Sequence, residues 1–401
     1  MSSGRRGKIL VSTLPPRLSG GVQRMLDFCI DALGSEYDLE IAHYEPYSIN
    51  PQLSVPLTSL ASKRDISAYV YDYRGIKVHA FGAWLPEFEF THYFPTRRWL
   101  DLVQRFDRAL CVGGSILPAF PFIGQDMPVL AWVASSYSGD RHDRVRALPW
   151  YRKVLNAAVI SPVSQSLEKK MLKQFHVSSI SGYTRRELES ISPDAKKIEV
   201  VPVPVRMERF YPEPGSESPW NVGFIGRLND PRKNVKLLLD AVAACLRLGQ
   251  PVRLYLAGAV LDSSIESYVE ELGIRQSVES HGHIAEDQLP AFLRKLDVFV
   301  VPSWQEGLCI AALEAMACGC PAISTKCGGV EDFIVSGQNG FLVDFESKVL
   351  ADMIVRICGD RKLRQNLSAN AVETVRSGFE FGRVSRRFLE KVRNVFELSR
   401  R

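Results

Sequence analysis

Along most of its length the chain alternates apolar runs of strand length with amphipathic stretches of helix length. That alternation is the pattern of a parallel α/β sheet, whose strands are covered on both faces by the intervening helices. Residues 8–13 read as a first buried strand. Residues 22–33 read as the helix after it, with Val22, Met25, Leu26, Cys29, Ile30 and Leu33 on one face at three-to-four spacing. Further strands are expected at 39–43, 76–81, 109–112 and 129–133. A second series opens at Asn221, with strands at 222–225, 252–257, 298–302 and 321–325 and helices at 235–248 and 308–317. Between the two series lies 211–219, rich in Pro, Ser and Gly, which reads as an interdomain stretch. A length of 401 residues also exceeds one ordinary core. Two doubly wound α/β domains are therefore expected, 1–211 and 220–381, joined by a linker at 212–219. Residues 45–75 show no clear period and read as a helical excursion in preference to a loop over a binding site. The last segment, 382–401, reads as a basic amphipathic helix with Val384, Phe388, Val392, Val395 and Phe396 facing a core. Its own sequence leaves open which domain it packs on, the first being one candidate.

Hydrophobic residues at 46% and charged residues at 24% describe a globular, water-soluble composition. Fifty Lys and Arg against forty-five Asp and Glu leave only +5, too little for a dedicated nucleic-acid binder, while permitting weak attraction to anionic lipid or a phosphorylated substrate. The apolar run 9–14 is too short for a secretory signal, and no run approaches the roughly 20 apolar residues of a membrane span. A cytoplasmic protein is expected, with peripheral contact at the inner face of the membrane compatible with the charge. Cys309, Cys318, Cys320 and Cys327 cluster, but no Cys-x-x-Cys pair occurs and their neighbours are small and apolar. They read as buried thiols in a reducing compartment, with no metal site.

Three constellations carry chemistry. Gly20 and Gly21 follow the first strand and precede a helix, where a backbone can approach a diphosphate closely. An ordinary strand-to-helix turn explains them equally well. No Gly-x-Gly and no P-loop pattern occurs, which counts against dehydrogenases and P-loop enzymes. In the second constellation Gly226, Arg227 and Lys233 follow a strand of the second series. At a strand's carboxyl end this cation pair can clamp a pyrophosphate; the alternative is two solvated surface cations. The third is the most informative: a strand ends at Pro302, Glu306 and Gly307 form a turn, and Glu314 sits in the helix that follows. Eight residues separate the two carboxylates, a rise of up to about 12 Å if helical throughout. They are too far apart to share a proton but well placed to hold hydroxyl groups at opposite ends of one extended ligand. Glu314 lies in an apolar run, so either it finds hydrogen-bond partners or it faces solvent.

The set Pro302, Ser303, Glu306, Gly307, Glu314, Ala315, Met316, Ala317, Gly319 and Pro321 resembles the retaining glycosyltransferases of family 4, also called group 1 glycosyl transferases. Gly328, Gly329, Gly337 and Gly340 are similar to that family's continuation, as are Gly226, Arg227 and Lys233, the Gly20-Gly21 pair, and the stretches 181–188 and 200–212. The resemblance implies a GT-B fold, two Rossmann-like doubly wound parallel-sheet domains facing across a cleft. It implies that Arg227 and Lys233 bind the donor diphosphate and stabilise the leaving group, with Gly20 and Gly21 facing that diphosphate from the other domain. Glu306 would lie beside the transferred sugar, and the N–H groups of Gly307, Leu308 and Cys309 would reach sugar hydroxyls or phosphate. Glu314 would accept hydrogen bonds from the ribose, and His283 and Ile284 would border the base.

Two departures stand out. Val203 and Pro204 replace an Asn-Gly that the family often carries, and 132–136 lacks the histidine that commonly follows its strand. The nearest histidine, His142, is not assigned that role. The implied reaction moves a hexose-type unit, with retention, from a nucleoside diphosphate sugar (UDP favoured over GDP) to a hydroxyl on a glycan, lipid-linked or small-molecule acceptor. The sugar nucleotide is a substrate, so no cofactor is expected. The absence of Asp-x-Asp agrees with metal-independent departure. Aromatics at 84–90 and 93–106, interleaved with Arg97, Arg98 and Arg105, read either as a surface for lipid-linked or anionic acceptors or, by preference, as an ordinary amphipathic helix. A sugar-nucleotide epimerase of the same fold and a non-catalytic sugar-nucleotide-binding protein are the alternative readings.

Overall fold

Strands covered on both faces lose their polar–apolar alternation, and the unbroken apolar runs of the sequence form the centres of two sheets. The computed structural model describes residues 7–18, 20–61, 65–146, 148–213 and 220–398. Ser19, the side chain of His142 and the 214–219 part of the expected linker lie outside the described residues.

The first sheet contains β1 (Lys8–Thr13), β2 (Asp38–Tyr44), β3 (Ala68–Tyr73), β4 (Ile76–Phe81), β5 (Ala109–Gly113), β6 (Val129–Val133), β7 (His176–Ser179) and β8 (Glu199–Val200). Their order is β3-β4-β2-β1-β5-β6-β7-β8, parallel throughout except for β3 against β4. The second contains β9 (Asn221–Ile225), β10 (Arg253–Ala257), β11 (Val278–Ser280), β12 (Val298–Val301), β13 (Ala322–Thr325) and β14 (Gly340–Val343). It is all parallel, in the order β11-β10-β9-β12-β13-β14. Each sheet winds outward in both directions from its first strand. The direction reverses between β1 and β5 in one and between β9 and β12 in the other. Loops splay apart at such switch points and leave a crevice at the carboxyl ends of the strands.

Contacts divide the chain into two units, Met1–Val203 with Ser385–Arg401, and Pro204–Val384. Pro212 and Glu213, the described part of the Pro- and Ser-rich stretch, fall within the second unit.

The helix Phe381–Leu398 joins the first unit from residue 385 onward. Val384, Phe388, Val392, Val395 and Phe396 are all buried, and the Phe388 ring lies 5.2 Å from both Phe28 and Trp132. Lys391 pairs with Glu199 at 2.8 Å, and Arg393 pairs with Glu36.

Residues 45–75 correct the expectation of a helical excursion. They form turns, a short 3-10 turn at Leu57–Ser59, and the antiparallel edge strand β3. Tyr69, Tyr71 and Tyr73 alternate with the exposed Ala68, Val70 and Asp72, a period of two that belongs to an edge strand. The tyrosines are tied down by their hydroxyls. Tyr69 donates to Glu45 at 3.1 Å, Tyr73 donates to Asp27 at 3.0 Å, and the Tyr71 hydroxyl meets His43 Nε2 at 3.0 Å. The aromatics of 93–106 are mostly core: Tyr93, Trp99 and Phe106 are buried, with the Tyr93 hydroxyl donating to the Thr13 carbonyl at 2.8 Å. Among the described residues, no helix is long and apolar enough to cross a membrane.

Candidate functional site

The carboxyl ends of β9 and β12, the switch point of the second sheet, gather the charged residues that the sequence singled out. After β9 the chain folds into a self-bonded loop. Asp230 caps the short 3-10 turn Pro231–Lys233, accepting from the Arg232 N–H at 3.1 Å and from its guanidinium at 3.2 and 2.9 Å. Arg227 reaches the same carboxylate at 3.1 Å, with 60% of its side chain exposed. Burial works to raise the Asp230 carboxyl, but Arg232 and then Arg227 more than offset it and hold it down to about 2. Asn234 then turns left-handed, at φ 47°, and starts the helix Val235–Arg247. Lys233 therefore points away from solvent, 19% exposed, with Nζ 2.7 Å from Glu306 Oε1.

Glu306 is fixed from both sides. Its N–H donates to the Cys327 carbonyl at 2.7 Å and its carbonyl accepts from Gly329 at 2.8 Å, so β12 and β13 go on pairing beyond their strand ends. The wholly buried Ser303 hydroxyl donates to the same Oε1 at 2.6 Å. Two donors thus converge on one carboxylate oxygen, and neither takes Oε2. Burial pulls the Lys233 ammonium down, but the attraction of Glu306 overcomes this and lifts its pKa above the usual lysine value. A Cβ on Gly329 would stand 2.0 Å from the Gly307 carbonyl oxygen, so only glycine lets these two turns meet. The Trp304 N–H donates to the Arg232 carbonyl at 2.7 Å, locking the β9 and β12 loops together. The Trp304 ring stacks on Phe345 at 4.5 Å.

Past Gly307 the chain buries Leu308, turns left-handed at Cys309 (φ 63°) and enters the helix Ile310–Ala317. The Cys309 carbonyl accepts from the Ala312 and Leu313 N–H groups at 3.1 and 3.4 Å, and the N-terminal end of such a helix carries a partial positive charge. Glu314 is 3% exposed in a helix buried over Ala312–Ala317, which removes the solvent-facing alternative. His283, exposed, and Ile284, half-buried, lie in the loop after β11, two strands from β9 in the sheet. Lys233, Glu306 and Gly307 are thus brought together, with Arg227 in the adjoining loop and Glu314 two turns along the helix. Gly20 and Gly21 belong to the first unit, at the carboxyl end of β1. Gly20 takes φ 142°, a backbone that glycine alone adopts easily, and Gly21 opens the helix Gly21–Leu33.

Ser303, Asp230 and Gly329 were not given roles by the sequence reading. Each had a signal: Ser303 stands three residues before Glu306, Asp230 three after Arg227, and Gly329 in a Gly-Gly pair after a strand. The Trp304–Phe345 stack had none, since forty-one positions separate the two rings.

An open, doubly wound α/β architecture with a switch point in each sheet is what this strand order defines. Residues 208–374 match the family model described as Glycosyl transferases group 1. The chain is 28% identical over 276 residues to the MMP alpha-(1->4)-mannosyltransferase of Mycolicibacterium hassiacum, covering 66% of this chain and 64% of that one. It spans between 36% and 64% of the length of such curated relatives. Its fold is shared with the sucrose-phosphate synthase of Thermosynechococcus elongatus, at TM-score 0.75 and 19% identity over 98% of this chain and 100% of that one. It is also shared with HepE of Anabaena, solved in complex with UDP, at TM-score 0.72 and 17% identity over 96% and 100%. The fold is GT-B.

Proposed function

We propose that the protein is a retaining glycosyltransferase that moves a hexose-type sugar from a nucleoside diphosphate sugar to a hydroxyl acceptor. The observation that carries this reading is the convergence of Lys233 and Ser303 on one oxygen of Glu306 at the switch point of the second sheet, inside the segment matched to the family. Glycosyl transfer builds positive charge on the sugar and negative charge on the departing diphosphate. Lys233 and Arg227 supply two fixed cations for the latter, a role for which no separate metal or cofactor is then needed. Glu306, held through Oε1, keeps Oε2 for a hydroxyl of the transferred sugar, and the N–H groups of Gly307, Leu308 and Cys309 meet its other oxygens. Glu314 accepts from the ribose, with His283 and Ile284 beside the base and Gly20-Gly21 as a backbone partner of the diphosphate. Neither carboxylate is asked to become a nucleophile. The acceptor oxygen attacks the face that the diphosphate leaves, the anomeric C–O bond to phosphate breaks, and a phosphate oxygen takes the acceptor proton. UDP is the favoured nucleoside diphosphate, supported by the UDP held by the GT-B neighbour HepE. The eight cysteines are all free thiols, which suits a cytoplasmic enzyme.

The test is incubation with a panel of UDP- and GDP-sugars, with and without hydroxyl acceptors, reading nucleotide release, product mass and anomeric configuration. Acceptor-dependent release with an α-linked product from an α-linked donor is expected. Acceptor-independent epimerisation, or binding without turnover, would replace this reading with an epimerase or a non-catalytic binder respectively.

A further inference from the structure

In the first unit, the helical run from Trp150 to Gln174 exposes a ridge of apolar side chains besides the ones it buries. It consists of Trp150–Leu155, a π-helical turn at Asn156–Ile160, and Ser161–Gln174. The wider turn comes just before Pro162, which has no N–H to give to a regular helix. The inward face carries Ile160, Met171 and Leu172 and, beside them, polar groups. Asn156, Ser164 and Glu168 are buried, Asn156 donates to the Ser161 hydroxyl at 2.9 Å, and Glu168 accepts from the Tyr137 N–H at 2.8 Å. Asn156 also lines a cavity of about 270 Å³ together with Glu89, His92, Arg141 and Arg152. The outward face carries Trp150 (77% exposed), Tyr151, Val154 (60% exposed), Leu155, Val159 and Val163. This ridge is additional to the core stripe of the run, which is supplied by Ile160, Met171 and Leu172 on the buried side.

The charge on the run is equally one-sided. Arg152, Lys153, Lys169, Lys170 and Lys173 are exposed, whereas the single acid between 150 and 174, Glu168, is buried. Of these cations Lys173 has an exposed partner, Asp194, at 3.1 Å. An exposed Trp-Tyr pair, four aliphatic side chains and cations that, Lys173 aside, have no acidic partner among the described residues are the composition of a helix that lies in the interface of an anionic bilayer. A second copy of the chain fits worse, since a two-fold contact sets the same patch against itself and the acid between 150 and 174, Glu168, is buried and offers these cations no opposite charge.

We propose that this ridge docks the protein on an anionic lipid surface. Trp150 and Tyr151 lie at the headgroup level, Val154, Leu155, Val159 and Val163 at the acyl boundary, and Arg152 and Lys153 against lipid phosphates. The surface is distinct from the aromatic stretch 93–106, whose rings are mostly buried. It stands independently of the reaction proposed above, and its test does not involve sugar transfer.

The experiment is flotation of the whole protein with phosphatidylcholine vesicles, with and without phosphatidylglycerol, at low and high salt. Wild type should float with the anionic vesicles at low salt and be released as salt rises. Trp150→Ser with Val154→Ser should weaken vesicle affinity at least about tenfold, while the melting midpoint stays unchanged because both positions are exposed. Arg152→Glu with Lys153→Glu should remove the preference for anionic lipid. The lipid-induced blue shift of tryptophan emission should vanish in Trp150→Phe. No flotation of wild type at low salt would overturn the proposal, as would vesicle binding unchanged in both double variants. A wild-type dimer made monomeric by the serine variant would assign the ridge to a second copy instead, and equally overturn it.

Discussion

Replacing Lys233 with alanine is expected to lower sugar-transfer turnover at least about a hundredfold, the scale for losing one preorganised group that stabilises developing charge. Lys233 is the better buried of the two cations, and its position is set by the Asp230-capped turn on one side and by Glu306 on the other. A structural cost comes with the loss. Glu306 would keep Ser303 but lose its countercharge in a site where both partners are largely covered, a destabilisation on the order of 3 kcal/mol. Arg227→Ala separates the two effects. Its side chain is mostly exposed, so the variant should melt near wild type and still lose turnover on a comparable scale. Near-normal turnover in a folded Arg227→Ala and a folded Lys233→Ala would contradict the donor-side assignment. Steady-state rates beside melting curves provide the readout.

Phe388→Ala is expected to destabilise the first unit by about 3–5 kcal/mol, the usual range for truncating a fully buried phenylalanine. The ring sits between Phe28, on the first helix, and Trp132, on β6, and the Trp132 indole N–H donates to the Val201 carbonyl at 2.8 Å. Removing Phe388 therefore opens a cavity where the terminal helix, the first helix and the sheet meet. Denaturant titration followed by tryptophan emission should show a lower midpoint for the transition that reports Trp132. A change below about 1 kcal/mol would mean that the terminal helix is not part of that core.

The buried parallel strands were legible because coverage on both faces leaves nearly continuous apolar sequence: β1, β4 and β6 lie where the runs of residues lie. β3 was not. It is an antiparallel edge strand whose inward residues are tyrosines and whose outward residues are mixed, so its period of two is weak and its stretch was expected to be helical. β8 and β11 span only two and three residues, too short for any period to show. At the site, Lys233, Glu306 and Glu314 were legible as residue types at strand ends and in an apolar run. Their pairing was not, because it depends on β9 and β12 lying side by side, a fact of sheet order that spacing does not carry. The ridge at Trp150 escaped for the opposite reason. Apolar residues at helical spacing are ordinarily taken to face a core, and the burial of Asn156, Ile160, Ser164, Glu168, Met171 and Leu172 shows that a different set faces inside.

The central claim is that the carboxyl ends of β9 and β12 hold a sugar nucleotide, with the ribose at Glu314. Calorimetric titration of UDP and GDP into wild type and Glu314→Gln tests it most directly. The account predicts saturable binding of at least one nucleoside diphosphate to wild type. It predicts binding at least about tenfold weaker in the folded Glu314→Gln, the scale for losing a hydrogen bond to a charged acceptor. Failure of both nucleotides to bind wild type, or equal affinity in the folded variant, would contradict it.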